Sequence, residues 1–383
     1  MRLLFSFVGG EGHLRPLLPV AHAAAGRGHA IAVAGAPSLA PVVRAERLEF
    51  LPAEPDVVPR RVPLLPIDME REYRALRESF AGWMGRARAA ALPALIAQWN
   101  PDVVVRDETD FGAAIAAERA GIPCATVLVI AAGGLVERAA VAEQLDALRA
   151  EHGVAPDRGL EALRGGLVLS PFPPGFRDPA EPLPAGAHAF RSRTAGGDPA
   201  THPVVEQLGG RPVVYVTLGT IFNTESGDLF ARVLAGLREL PVEVVVTVGR
   251  SIDPAELGPQ PDGVHVERYV PQSQLLPRCA TVVTHAGSGS VMGALEHGLP
   301  QVCVPMGGDQ PLNAARCEAL GAGVALDPIA LTPESLRAAV AAVLHEPGYR
   351  RAAERLQAEI AALPEPASAV ALLEDLNETS SRV

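Results

Sequence analysis

Short, uninterrupted apolar runs alternate with helix-length stretches along most of the chain, which predicts a parallel-sheet α/β architecture. Leu3 to Val8 is such a run, the pattern of a strand buried on both faces. The glycine turn Gly9-Gly10-Glu11-Gly12-His13 follows it. A helix over Leu14 to Ala25 comes next, with Leu14, Leu17, Leu18, Ala21 and Ala25 along one side. Gly26 and Gly28 end that helix and Ala30 to Ala34 starts a second strand, completing a β-α-β unit. The alternation continues through strand Asp102 to Arg106, helix Phe111 to Ala120 and strand Ala125 to Ile130, with a long helical region over Arg71 to Ala97 before them.

From Phe172 to Pro212 the chain is irregular and rich in Pro and Gly, and Thr194-Ala195-Gly196-Gly197-Asp198-Pro199 reads as a linker. The pattern then restarts with strand Val213 to Thr217, helix Asp228 to Leu240 and strand Val242 to Val248. Short strand Val264 to Val266, strand Thr281 to Thr284, helix Ser290 to His297 and strand Gln301 to Val304 continue it. Thr332-Pro333 opens a further helix as N-cap and first-turn proline, and a terminal helix follows Pro364 and Pro366. The expected architecture is therefore two doubly wound halves, residues 1–198 and 199–365, with a tail over 366–383 that packs back on the first. Such halves bind ligands at the carboxyl ends of their strands, here in a cleft between them, and both glycine turns fall at such ends.

Composition narrows the function. A chain of 383 residues, 48% hydrophobic and 20% charged, fills two ordinary cores and is not disordered. A formal charge of −11 disfavours wrapping nucleic acid, so an anionic ligand has to be held by local devices such as helix N-termini. Cys124, Cys279, Cys303 and Cys317 are widely spaced with no metal-ligand pattern, which predicts reduced thiols and suits a cytoplasmic location. The apolar start is too short for a signal-peptide core and the longest apolar stretch, Pro123 to Val136, is too short to span a bilayer.

The most informative stretch runs from Tyr269 to Asn313. After strand Thr281 to Thr284, His285-Ala286-Gly287-Ser288-Gly289-Ser290 turns into a helix. Glycines let backbone amides approach a phosphate and a helix start adds partial positive charge, although an ordinary turn has the same composition. The context is more specific: Val270-Pro271-Gln272, Leu275-Leu276-Pro277, the His285 turn, Gly298-Leu299-Pro300, Pro305, Asp309-Gln310 and Asn313 stand in order. This series resembles the donor-binding signature of family 1 glycosyltransferases, enzymes of the two-domain GT-B fold. The resemblance extends over nearly the whole chain and is strongest over these residues.

The resemblance implies an acceptor-binding first domain and a second domain that binds a nucleotide-sugar. Val270 and Gln272 would meet the base, and His285 the pyrophosphate. Gly287, Ser288 and Gly289 would offer backbone N–H groups to the same phosphates. Thr220, in Leu218-Gly219-Thr220, would add a hydroxyl, and Asp309 and Gln310 would bind sugar hydroxyls. Many relatives carry a ribose-binding Glu eight residues after the His, where this chain has Gly293. That departure points to a TDP-sugar, whose ribose lacks the 2′-hydroxyl, while Glu296 remains available as a substitute.

In the first half His13 stands between strand and helix, where a helix N-terminus disfavours the imidazolium and keeps the ring able to accept a proton. Asp107, just after a strand, is the best-placed carboxylate to orient it, with Glu108 and Asp110 as neighbours. Gly12-His13 with Pro16-Leu17 resembles the family's N-terminal motif, whose matching positions form a His–Asp dyad. The implied reaction is inverting displacement, with no metal and no resident cofactor. Tyr73, Leu76, Phe80 and Trp83 share a helix face beside Met69 and Met84, either as core or as an apolar wall for the acceptor. As a wall, Met69, Tyr73, Phe80, Trp83 and Met84 would receive a hydrophobic aglycone, as in bacterial macrolide, polyketide and enediyne glycosyltransferases. The rivals are a UDP-sugar donor, a GT-B nucleotide-sugar epimerase and a non-catalytic auxiliary subunit. The oligomeric state is left open, a homodimer included.

Overall fold

The computed structural model describes residues 1–54, 56, 61–136, 138–157, 159–160, 166–192 and 200–380. The linker expected at Thr194 to Pro199 lies outside the described residues. The chain divides into two compact units. The first is assembled from Met1–Val58, Met69–Thr194 and Leu363–Val383, and the second from Pro59–Asp68 and Ala195–Ala362.

The first unit is built on a parallel seven-stranded sheet. Its strands are β1 (Arg2–Ser6), β2 (Ala30–Gly35), β3 (Glu49–Pro52), β4 (Val103–Asp107), β5 (Cys124–Val127), β6 (Leu167–Ser170) and β7 (His188–Ala189), in the order β3-β2-β1-β4-β5-β6-β7. Every residue of β4 is buried, as the run Val103-Val104-Val105 requires when helices cover both faces. Helix Phe111–Ala120 starts where Asp110 accepts a bond from Ala113 N–H and stops at Gly121 in the left-handed conformation. The terminal helix Pro366–Ser380 inserts Ala369, Val370 and Leu373 into the core of the first unit, against helix Leu18–Gly26 and β6.

Three sequence expectations change here. The first helix is two pieces, Glu11–Leu14 and Leu18–Gly26, because Pro16 and Pro19 interrupt the ladder, and Ala24 is buried in place of the expected Ala25. The long helical region is Met69–Ala75, a π-helical segment Leu76–Met84, and Gly85–Trp99. The wider π turn breaks the register that put Tyr73, Leu76, Phe80 and Trp83 on one face: Leu76 is buried while Trp83 is 44% exposed. Helix Arg138–Glu151 and strands β6 and β7 had no sequence signal strong enough to announce them.

The second unit carries a parallel six-stranded sheet. Its strands are β8 (Val213–Thr217), β9 (Glu243–Thr247), β10 (Val264–Glu267), β11 (Cys279–Thr284), β12 (Gln301–Cys303) and β13 (Gly323–Ala325), in the order β10-β9-β8-β11-β12-β13. Residues 61–68, which the sequence reading leaves in the first domain, belong to this unit. Val62 N–H donates to the Thr224 carbonyl, Arg61 pairs with Glu256 at 2.7 Å, and Leu64 packs on its core.

In each sheet the order reverses direction at one place, between β1 and β4 in the first and between β8 and β11 in the second. The connections leave on opposite sides there and open a crevice beyond the strand ends. The loops at those points are Gly9–His13 with Asp107–Asp110, and Leu218–Thr220 with His285–Gly289.

Candidate active site

The first switch point is organised by three acids within four residues, Asp107, Glu108 and Asp110, with three jobs. Asp107, fully buried at the end of β4, accepts from Val8 N–H at 2.8 Å, Thr109 N–H at 2.6 Å and Asp110 N–H at 3.0 Å. Glu108 turns away and accepts from Val129 and Ile130 N–H at 2.6 and 2.7 Å. Asp110 caps its helix and pairs with buried Arg88 at 2.7 Å. Asp107 alone faces His13.

That contact runs through a residue the sequence reading missed. His13 Nδ1 is 3.1 Å from the Thr109 hydroxyl, which donates to Asp107 Oδ1 at 2.6 Å, whereas His13 Nδ1 to Asp107 Oδ1 directly is 3.6 Å. With its own proton donated toward the Asp107 carboxylate, the Thr109 oxygen accepts from Nδ1–H, which fixes the tautomer and leaves the Nε2 lone pair as the basic site. The Asp-x-Thr spacing, a turn that closes on its own carboxylate, was the available signal. Burial raises the Asp107 carboxyl, but the facing His13 and the Thr109 and Val8 bonds outweigh it and hold it below the usual carboxylate range.

Phe80 stacks on His13 with centroids 5.7 Å apart, delivered there by the π-helical segment. The other expected acceptor residues scatter: Met69 and Tyr73 are half-buried, Trp83 is exposed, and Met84 is buried in the unit. Beside Tyr73 a hollow of about 470 Å³ is lined by Glu70, Arg74, Arg77, Ala139 and Ala140, so its walls are more polar than an apolar wall requires.

The second switch point is built around His285. Its ring is buried between two main-chain glycines: a Cβ added to Gly219 or to Gly287 would stand 2.5 Å from Nε2. Burial lowers its pKa to about 4, against the opposing pull of Asp309 and the Thr217 carbonyl, so the ring is neutral near pH 7. Ala286, next to it, is held at φ +65, a conformation that non-glycine residues rarely adopt and that marks a constrained turn. Gly287 caps helix Ser288–Glu296, and Gly289 faces open space.

Asp309 Oδ2 ties this turn to the next loop. It accepts from the Ser288 hydroxyl at 2.5 Å, Ser288 N–H at 3.2 Å and Asn313 Nδ2 at 2.8 Å. Gln310 is turned inward, its Oε1 accepting from Met306 N–H at 2.8 Å. Ser288 N–H, expected on phosphate, and Gln310, expected on sugar, are therefore engaged within the protein. Thr220 is exposed at the tip of its turn, and the side chain of Val270, expected to meet the base, is in the core.

Gln272 Nε2 lies 3.4 Å from the Tyr215 hydroxyl, and a Cβ on Gly293 would stand 3.5 Å from Gln272 Oε1. Gln272, expected to meet the base, and Gly293, the position the sequence singled out for the missing Glu, thus lie together. Glu296 ends the helix, where its carbonyl accepts from Gln357 at 3.0 Å. Among the described residues no group of three or more His, Cys, Asp or Glu side chains is arranged to hold a metal, and no helix is long and apolar enough to cross a membrane.

Known proteins agree with this architecture. Residues 231–376 match the C-terminal domain of erythromycin biosynthesis protein CIII-like proteins. The chain is 32% identical to 4′-demethylrebeccamycin synthase of Lentzea aerocolonigenes, over 98% of this chain and 99% of that one. It is 31% identical to tylactone mycaminosyltransferase of Streptomyces fradiae, over 98% and 92%. Among solved structures, the glycosyltransferase VinC in complex with dTDP superposes with a TM-score of 0.79 at 26% identity, over 99% of this chain and all 100% of that one. Spinosyn rhamnosyltransferase SpnG complexed with thymidine diphosphate gives 0.83 at 25% identity, over 98% and 100%. The chain belongs to the GT-B glycosyltransferases of natural-product biosynthesis.

Proposed function

We propose that this glycosyltransferase moves a deoxysugar from a TDP-sugar to a hydroxyl of a hydrophobic natural-product aglycone, with inversion and without a metal ion. The observation that carries the reading is His13, whose Nδ1 is engaged by Thr109 backed by Asp107, so that Nε2 is the atom available as base. His13 Nε2 takes the proton as the acceptor oxygen attacks the anomeric carbon. The bond from that carbon to the diphosphate breaks, and its electron pair stays on the leaving oxygen. Asp107 stabilises the imidazolium that forms. Neutral His285 and the start of helix Ser288–Glu296 offer donors and a dipole to the diphosphate.

Support for the donor is twofold. Thymidine diphosphate is the ligand named for VinC and SpnG, and Gly293 leaves no carboxylate beside Gln272 for a 2′-hydroxyl. Support for the acceptor class is the company of relatives named for tylactone and rebeccamycin chemistry, together with Phe80 on His13.

His13→Ala tests the mechanism. Transfer from a panel of TDP-hexoses to macrolide and polyketide aglycones should fall at least a hundredfold, the scale of a lost general base, with TDP binding by calorimetry unchanged. Retained turnover refutes the base, preference for UDP-glucose refutes the donor, and loss of turnover in EDTA refutes metal independence.

A further inference from the structure

Past the ends of β8 and β9 one buried amide is held in a way that core packing alone does not require. Asn223 is 2% exposed. Its Nδ2 donates to the Val248 carbonyl at 2.6 Å, whereas its Oδ1, also buried, has no partner among the described residues. A buried acceptor without a donor costs free energy that an apolar side chain of the same size would avoid. What the amide gains is its N–H bond to the main chain just beyond β9.

That bond depends on close approach. Gly249, the residue after Val248, sits at φ +78, and a Cβ there would stand 2.4 Å from Asn223 Nδ2 and 3.8 Å from the Gly219 carbonyl oxygen. The amide, Gly249 and Gly219 are thus packed together, and Gly219 is the residue that walls the His285 ring. From Leu218, fully buried, to Asn223 the chain arches outward, with Thr220 and Ile221 exposed and Phe222 half-buried. The far end of the arch runs into a single 3₁₀ turn, Phe222–Glu225. The Thr224 and Ser226 hydroxyls close it by donating to the Ile221 and Asn223 carbonyls at 2.9 and 2.8 Å. Phe222 lies against Gly308, where a Cβ would stand 3.7 Å from its ring, one residue before Asp309. The arch therefore meets both the His285 turn and the Asp309 loop, and the Asn223 amide ties it to β9.

We propose that Asn223 is a positioning residue for the donor's diphosphate: its amide pins the far end of the arch, and so holds the Thr220 hydroxyl and the Gly219 wall of His285 in register with the phosphates. This rests on the reading of this switch point as the nucleotide-sugar site. A ligand without the diphosphate bypasses the arch, because the residues on the base side, Gln272 and Gly293, stand on other segments.

The test compares TDP with thymidine, which lacks the diphosphate, on the full-length chain, by calorimetry for the first and ligand-observed NMR for the second. Asn223→Leu keeps the volume and loses the amide, and Asn223→Asp keeps the shape but turns an acceptor on the Val248 carbonyl. Gly249→Ala displaces the same amide from the other side. In each variant that keeps the near-UV circular dichroism of the unaltered protein, TDP affinity should fall about tenfold, the upper scale of one lost hydrogen bond, and thymidine affinity less than about twofold. A purely structural Asn223 would weaken both ligands alike, through a loosened second unit, or neither. Either result overturns the proposal. The unaltered protein tests the underlying reading separately. If it binds UDP and not TDP, the thymidine donor is refuted, while the same comparison with UDP and uridine still judges Asn223. If it binds neither diphosphate, the donor site itself is refuted, and the role of Asn223 with it.

Discussion

His285 is packed between Gly219 and Gly287 so tightly that a methyl group on either glycine would stand only 2.5 Å from its Nε2. Gly219→Ala and Gly287→Ala should each displace the ring and weaken TDP binding at least tenfold by calorimetry, whereas Gly289→Ala, facing open space, serves as the control. Gly219 is the stricter case, since its φ of +79 also disfavours any side chain. The same burial makes a pH prediction. The folded-state pKa of His285, about 4, lies below the 6.5 of an unperturbed imidazole. Above pH 6.5 neither folded nor unfolded chain holds the proton. Between 6.5 and about 4 the unfolded chain binds it and the folded chain does not, so stability falls with pH by about 3 kcal/mol over that window. Denaturant titrations of His285→Gln between these limits should show a correspondingly flatter dependence; equal slopes in both proteins would contradict this. At this scale the sequence made His13, Asp107 and His285 visible, because a His or Asp at a strand end before a glycine turn or helix is readable. It put Asp107 first by its place after a strand but could not show where Glu108 and Asp110 turn, because adjacent side chains on a turn diverge in space by angles the sequence does not carry. Thr109 was passed over for the same reason.

Helix Phe111–Ala120 and the turn before it form the element on which the placing of His13 depends. Asp110 caps that helix, takes the Ser6 hydroxyl at 2.7 Å and pairs with Arg88, both ionic partners being fully buried. Asp110→Ala leaves the Arg88 cation buried without its counter-charge, and loses the cap as well. The expected cost is about 3–5 kcal/mol by chemical denaturation, far above the cost of losing a cap alone. Thr109→Val, by contrast, removes one hydroxyl from the same element without touching its packing. It should lower kcat about tenfold or more with KM little changed, since the link that sets the His13 tautomer is lost while the binding surface stays. Strands and capped helices were the legible elements, because a valine run or an Asp before an apolar helix has one local solution. The π-helical segment was not legible. Its apolar spacings suit an ordinary helix, and only the packing that puts Phe80 on His13 and kinks the chain at Gly82 selects the wider turn.

On the scale of the whole molecule, chain order and fold order diverge. Two doubly wound sheets could be read from alternation, but residues 61–68 cross into the second unit because Leu64 and Arg61 find partners there, a choice made by surfaces distant in sequence. The end of the chain likewise belongs to the beginning. Helix Pro366–Ser380 lays Ala369, Val370 and Leu373 into the first unit's core against helix Leu18–Gly26 and β6, and Glu374 bonds His29 at 2.9 Å and Arg27 at 2.6 Å. Ending the chain at Ala362 therefore removes a part of the first unit, while the second unit, which closes at that residue, keeps all its elements. Uncovering the seats of Val370 and Leu373 costs about 3–6 kcal/mol at 1.5–3 kcal/mol for each buried side chain, a large share of a domain's net stability. Hydrogen exchange resolved by peptide should show protection lost in β1, β2 and helix Leu18–Gly26 of the truncated chain. Protection in β8, β9 and β11, and the affinity for TDP, should remain. Uniform loss across both units would mean that the terminal helix stabilises more than the unit into which it packs.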